Sequence, residues 1–167
     1  MSTSPILAIQ TGGTIDKDYP RGTNAFGFEI GDSAVRSILE AKNITIPFGH
    51  STVCRKDSQQ ISQQDRLALS EICKCAEQKK IIITHGTDTM IETAAFLARQ
   101  NLDKTIILTG SFLPNTFKNS DAEFNIGVAI GAVQCIVEND VFVAMNGRVF
   151  RWDQVTRDET GQFMAQL

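Results

Sequence analysis

Four short apolar runs, rich in β-branched residues and each followed by a polar loop, predict an α/β fold. Helical patterns lie between the runs. The expected architecture is a single three-layer domain with a mostly parallel sheet of the Rossmann/flavodoxin-like type. The runs do not alternate in polarity, so both faces of the sheet should be covered. In such sheets ligands bind outside the carboxyl ends of the strands, which is where functional residues are sought.

The elements follow in chain order. Pro5 to Thr11 is a buried strand that stops at Gly12-Gly13. Residues 16 to 31, with Pro20 and several glycines and asparagines, make a long, mobile loop. Asp32 is positioned to cap a helix in which Val35, Ile38 and Leu39 share a face. Ile44 to Val53 is extended. Ser62-x-x-Asp65 is a capping box with Asp in the place of Glu, opening a helix with Leu69, Ile72, Cys73 and Ala76 on one face. Lys80 to Thr84 is the second strand, and Asp88 is positioned to cap a helix bearing Ile91, Ala94, Ala95 and Ala98. Thr105 to Thr109 is the third strand. After a loop from Gly110 to Ser120, Ser120 or Asp121 caps a helix reaching Glu138. That helix is apolar almost all round from Ile126 to Val133, which predicts burial on more than one side, with Gly127 and Gly131 allowing close approach. Val141 to Met145 is the fourth strand, and the residues beyond it have no clear pattern.

Composition bounds the function. The chain has 167 residues, 42% apolar and 21% charged, which is ordinary for one globular domain. Sixteen basic residues against nineteen acidic ones give a net charge of -3, so no basic excess exists to hold nucleic acid or an anionic membrane. Cys54, Cys73, Cys75 and Cys135 lack metal-ligand spacing, and the only histidines are His50 and His85; four reduced thiols and no metal are expected. The sequence from Met1 shows no basic n-region or long h-region, and no run of about 18 apolar residues occurs. A cytoplasmic protein that touches no membrane is expected.

Three loops after strands carry candidate chemistry. In Thr11-Gly12-Gly13-Thr14-Ile15 two glycines let the backbone turn sharply and put a threonine hydroxyl over the strand ends. A phosphate cradle is a rival, but neither GxGxxG nor GxxxxGK[ST] is present. A plain tight turn is the other. His85-Gly86-Thr87-Asp88-Thr89 gathers hydroxyls, a carboxylate and backbone N–H groups at the next strand mouth. Capping explains Asp88 alone, and His85 alone reads as a structural histidine. Ser58, after Asp57, also suits a turn. Together these segments form a convergent polar pocket on an apolar scaffold.

Thr11-Gly12-Gly13-Thr14-Ile15 and His85-Gly86-Thr87-Asp88-Thr89-Met90 resemble the two signature motifs of the bacterial-type L-asparaginases. The resemblance continues through Leu108 to Pro114, Ser120-Asp121-Ala122, Phe124-Asn125 and Met145-Asn146, and so covers nearly the whole chain. It implies hydrolysis of L-asparagine to L-aspartate and ammonia through an acyl-enzyme, with no cofactor. Thr14 would be the nucleophile and Tyr19, the only tyrosine, would polarise its hydroxyl. Thr87 and Asp88 would be the second threonine and its carboxylate, with the Thr87 N–H holding the oxyanion and Asp88 the substrate ammonium. Ser58 would take the α-carboxylate, flanked by Asp57 and Gln59, with Gly13 and Gly86 lining the site. A threonine hydroxyl is a poor nucleophile until a neighbour accepts its proton, which is why the reaction needs such a cluster.

Two departures stand out. Counting from Met145-Asn146 through Val155-Thr156 puts Arg157 where the family has a lysine. Arginine keeps the charge but does not deprotonate, so the role is electrostatic, or Lys118 substitutes, or activity is impaired. The family's usual members also carry a second domain, from which a neighbouring subunit supplies an acidic residue to the substrate ammonium. Residues 1–167 are therefore expected to be one asparaginase N-terminal-type catalytic domain without the second, assembled as a homo-oligomer. Two rivals remain: a non-catalytic amino-acid-binding module that kept the pocket, and a nucleotide-binding domain of flavodoxin-like topology.

Overall fold

The computed structural model describes residues 5–22 and 27–166. The first apolar run is strand β1 (Ile6–Gly12), buried along its whole length. A single 3-10 turn, Thr14–Asp16, follows it. Strands β2 (Lys17–Asp18) and β3 (Glu29–Ile30) then pair across the base of the predicted loop, whose middle, residues 23–26, lies outside the described residues. Helix α1 (Ala34–Ala41) leads to β4 (Phe48–Lys56), and α2 (Gln63–Cys75) leads to β5 (Lys80–Thr84). Helix α3 (Met90–Ala98) leads to β6 (Thr105–Thr109), and α4 (Ala122–Cys135) to β7 (Val141–Met145). Past Met145, β8 (Arg148–Arg151) returns along β7, and β9 (Val155–Arg157) pairs with β10 (Phe163–Ala165) as a separate hairpin.

The central sheet has six strands in the order β4-β1-β5-β6-β7-β8, all parallel except β8. Numbered in chain order, its parallel strands run 2-1-3-4-5, which is the flavodoxin-like arrangement. Strand order reverses between β1 and β5, and their carboxyl ends flank the crevice where ligands bind in this architecture.

Period-two geometry sorts the strand residues onto two faces. Leu7, Ile9, Ile81, Ile83, Ile106 and Leu108 pack under α2 and α3, against Leu69, Cys73, Met90 and Leu97. On the opposite face Ala8 meets Val35, Ile38 and Leu39 of α1, while Ile82 and Ile107 meet Ala129 and Val133 of α4. Each buried isoleucine contributes about 1.5–3 kcal/mol relative to an exposed one.

Several local expectations change. Ser33, not Asp32, caps α1, its hydroxyl accepting from the Arg36 N–H; Asp32 pairs outward with Arg21 and Arg55. Strand β4 starts at Phe48 and runs to Lys56, later than the predicted Ile44–Val53. Helix α3 begins one residue after Thr89 with no side-chain cap, and buries Met90, Thr93, Ala94 and Leu97. Helix α4 stops at Cys135 and buries only one stripe, Ala122, Asn125, Ile126, Ala129 and Val133. Gly127 and Gly131 point outward, and no atom lies within 4 Å of where their Cβ would be. Ala122 donates its N–H to Ser120, while the Asp121 carboxylate leaves the helix to accept from the Phe112 and Leu113 N–H groups.

The predicted capping box on α2 is present. Asp65 accepts from the Ser62 N–H and Ser62 accepts from the Asp65 N–H. The Lys56 ammonium also reaches both Asp65 oxygens, at 2.9 and 2.8 Å. This pins the end of β4 to the start of α2, and the Lys56 carbonyl in turn accepts from the Gly13 N–H. The Lys56 ammonium, followed by the Ser62 N–H, holds the Asp65 carboxyl down at about 2. The folded value lies below the unfolded one, near 4, so its stabilisation is complete above that pH and is lost as pH falls toward about 2. Asp65→Asn should lower stability by roughly 1–2 kcal/mol at neutral pH and flatten the acid limb of the urea midpoint. A variant whose midpoint tracks the wild type down the acid limb would show that this carboxylate contributes none of it.

Candidate active site

The crevice between β1 and β5 is closed by backbone. Gly12 and Gly13 have φ of +112 and +88, which L side chains rarely adopt. A Cβ on Gly13 would lie 2.3 Å from the Gly86 nitrogen, and one on Gly86 would lie 2.7 Å from the Ser58 Cβ. The loops after β1, β4 and β5 are therefore pressed together with no side chain between them. Ser58, buried, opens a 3-10 turn, Ser58–Gln60, and its carbonyl accepts from the Thr89 hydroxyl at 2.8 Å. Thr14 and Thr87 are both partly exposed, and neither hydroxyl has a hydrogen-bond partner among the described residues.

The charged groups sit at the rim. Asp88 is 51% exposed by side chain, yet both of its oxygens are engaged. Arg157 Nη1 donates to Oδ1 at 3.2 Å and Gln59 Nε2 donates to Oδ2 at 2.8 Å. These contacts, Gln59 first and Arg157 second, hold the carboxyl below its ordinary range. Arg157 Nη1 also donates to the Thr87 carbonyl at 3.2 Å. Asp57 forms an ion pair with Lys17 at 2.8 Å, and the Lys17 charge is felt at Asp88 as well.

The predicted residues thus divide. Gly13, Gly86, Ser58, Gln59, Thr87, Asp88 and Arg157 are joined by packing or hydrogen bonds, and Thr14 follows Gly13 directly. Asp57 turns to Lys17. Tyr19 is 69% exposed and its ring rests on Phe28, centroids 5.1 Å apart. Lys118 is exposed and pairs with no carboxylate among the described residues. Lys17 is the lysine that reaches this rim; only its place three residues after Thr14 could have flagged it.

Two buried groups stand behind the crevice. His85 is structural, as its sequence context suggests. Its Nδ1 lies 2.7 Å from the Gly86 carbonyl, which can only accept, so Nδ1 carries the proton. Nε2 then accepts from the Thr93 hydroxyl at 2.9 Å, and the Thr93 oxygen accepts from Arg66 Nε at 3.0 Å. Burial pushes the imidazole down to about 4, so it is neutral at physiological pH. Asp16 accepts from the Ala34 N–H at 2.8 Å and from Gln10 Nε2 at 3.0 Å, and burial raises its carboxyl to about 7. Sequence reasoning passed over Asp16 because an acid next to a loop usually faces solvent.

The fold and this site define a chain of the asparaginase family. The family model described as Asparaginase, N-terminal, matches residues 5–165. The chain is 32% identical over 164 residues to the probable periplasmic L-asparaginase of Haemophilus influenzae, covering 93% of this chain and 46% of that protein. It is 30% identical to L-asparaginase 2 of Escherichia coli, covering 93% and 47%. The crystal structure of a probable cytoplasmic L-asparaginase from Campylobacter jejuni superposes with a TM-score of 0.81 at 27% identity, covering 98% of this chain and 53% of that one. The chain spans about half the length of the curated relatives it matches. No helix among the described residues is long and apolar enough to cross a membrane.

Because Asp88 does not cap α3, its removal should not carry the cost of a lost cap. Asp88→Ala should change unfolding free energy by less than about 1 kcal/mol, the range of an exposed ion pair. A urea-measured loss well above that would restore Asp88 as a structural residue.

Proposed function

We propose that this chain hydrolyses the side-chain amide of L-asparagine to L-aspartate and ammonia, with Thr14 as nucleophile. The observation that carries this is the seating of the Thr14 loop directly on Gly86. Thr14 follows Gly13 and Thr87 follows Gly86, so the packing of the two glycines supports reading both threonines, with the engaged Asp88 carboxylate, as one cluster where strand order reverses. The Thr14 oxygen attacks the amide carbon, the Thr87 N–H and hydroxyl steady the oxyanion, and the hydroxyl proton ends on the departing ammonia. Water then adds to the acyl-enzyme and releases aspartate. A fixed oxyanion donor is worth about 3 kcal/mol in such a step. Asp88 takes the substrate ammonium and Ser58 its carboxylate, with Asp57 and Gln59 alongside. Tyr19 is assigned to polarise the Thr14 hydroxyl, which requires its ring to leave Phe28. Arg157 supplies fixed positive charge. The proposed chemistry needs no cofactor. Cytoplasmic residence belongs to the same reading, supported by four free thiols.

A second reading, an amino-acid-binding module without turnover, is favoured by one observation, the packing of the Tyr19 ring on Phe28 with no hydrogen bond from its hydroxyl to Thr14. Thr14→Ala separates the two. Its unfolding free energy should stay within about 0.5 kcal/mol of wild type, since the side chain is partly exposed. Ammonia release should fall at least about a thousandfold while aspartate still binds. Aspartate binding by a wild-type protein that releases no ammonia would leave the binding module; wild-type release from Thr14→Ala would remove Thr14 from the chemistry.

The homo-oligomer belongs to this proposal too. Phe124 is 62% exposed on the outward side of α4, along with the uncovered Gly127 and Gly131, which gives a second copy an apolar strip to cover. Sedimentation at micromolar concentration should give a mass above that of one chain, and a monomeric mass would count against it.

A further inference from the structure

The hairpin that carries Arg157 ends in a turn with no assigned role. Arg157 is the last residue of β9 and pairs with Phe163 of β10. Its Nε donates back to the Gly161 carbonyl at 2.9 Å, while Nη1 reaches Thr87 and Asp88 across the crevice. The guanidinium carbon lies 5.4 Å from the Phe163 ring centroid, so an aromatic face and a turn hold one side group between them. Gly161 has φ of +84, and a Cβ there would lie 2.7 Å from Nη2. The turn itself is firmly built. Asp158 Oδ1 accepts from the Thr160 N–H, the Thr160 hydroxyl and the Gln162 N–H, and the Gly161 N–H donates to the Asp158 carbonyl. Asn146 accepts from the Phe163 N–H and fixes the hairpin to the end of β7.

We propose that Gly161 is a positioning residue: its missing side chain lets the turn clamp the Arg157 guanidinium against Asp88 and the Thr87 carbonyl. The rigid, planar guanidinium spends one edge on the turn and another on the site. A Cβ at Gly161 would push on Nη2, which holds no partner of its own among the described residues, and would move the same planar group whose Nε and Nη1 hold the turn and the site. A lysine at this position has no Nη2 to collide and no second edge to hold. Arginine at 157 and glycine at 161 are therefore a matched pair, and the pair sets where positive charge stands beside Asp88. The consequence for turnover rests on the amide-hydrolysis reading; the clamp itself does not.

The test is a double-mutant cycle with Gly161→Ala and Arg157→Lys, read on melting temperature and on kinetics with asparagine. Backbone strain at positive φ lowers the melting temperature in both backgrounds and cancels. The collision with Nη2 exists only with arginine, so Gly161→Ala should cost more there than in Arg157→Lys. Gly161→Asn, which tolerates positive φ but still places a Cβ, serves if the alanine variant does not fold. With Arg157 present, kcat should fall roughly tenfold, as expected for a displaced site group, with a smaller change in KM. Equal melting losses in both backgrounds would overturn the clamp. Unequal losses with wild-type kcat would overturn its positioning role. If the wild type releases no ammonia, the functional reading fails, and the melting cycle still decides the clamp.

Discussion

At the heart of the molecule the backbone of Gly13 lies against that of Gly86, so close that a Cβ on the first would sit 2.3 Å from the nitrogen of the second. That contact exists because the strand order 2-1-3-4-5 makes β1 and β5 neighbours whose connections leave in opposite directions. Any side chain at either glycine would wedge the loops apart. Ser58 beneath Gly86, and the Lys56 carbonyl accepting from Gly13, extend the same backbone packing to β4. The Lys56–Asp65 ion pair then ties this layer to the start of α2. Stability and site geometry thus meet in one place.

Charge is distributed around this contact in two tiers. Asp88, Arg157, Lys17 and Asp57 are paired at the rim, where solvent screens them and their worth is mainly geometric. Behind the crevice, His85 and Asp16 are buried, and burial disfavours the charged form of each. His85 is neutral, and its proton on Nδ1 fixes the Gly86 carbonyl. The direction of the following Thr87 N–H is fixed with it, because the peptide unit is planar and trans. Asp16 holds α1 through the Ala34 N–H, and Gln10 links it to Gly31 on the far side of the Tyr19 loop. The turn that carries Thr14 is thereby anchored by groups that stand behind the crevice.

Much of this was legible in the amino-acid order. β-branched runs such as Ile81-Ile82-Ile83 announce a buried parallel strand, and the Ser62/Asp65 box announces a helix start, because both depend on neighbours in sequence. The two glycine loops were legible for the same reason. Asp88 misled as a cap: cap and site carboxylate look alike until Gln59 and Arg157 are brought across from distant segments. Helix α4 misled by composition, since an apolar sequence with two glycines fits both a fully buried helix and one with a bare outer stripe. The β7–β8 hairpin could have been read from Asn146-Gly147, both at positive φ as a two-residue hairpin turn requires. Likewise Asp158-x-x-Gly161 has the residues of a type I turn at its first and last positions. What no local pattern carries is that this turn folds back onto Arg157.

Under the proposed amide hydrolysis, arginine at position 157 also limits which groups could move a proton in the crevice. Its guanidinium stays charged throughout, so it can steady Asp88 but could not carry the proton that the proposed attack by Thr14 would release. The neutral, fully engaged His85 cannot carry it either, since both ring nitrogens are occupied and its lone acceptor faces Thr93. Asp16 is sequestered beneath the turn by its two donors. Under that proposal Tyr19, once off Phe28, and the substrate's own nitrogen are the groups through which the proton would move. If the proposed hydrolysis holds, a cation clamped this way separates two duties that one lysine could combine: fixed charge would reside in Arg157, and proton transfer would run through a group that is free to move.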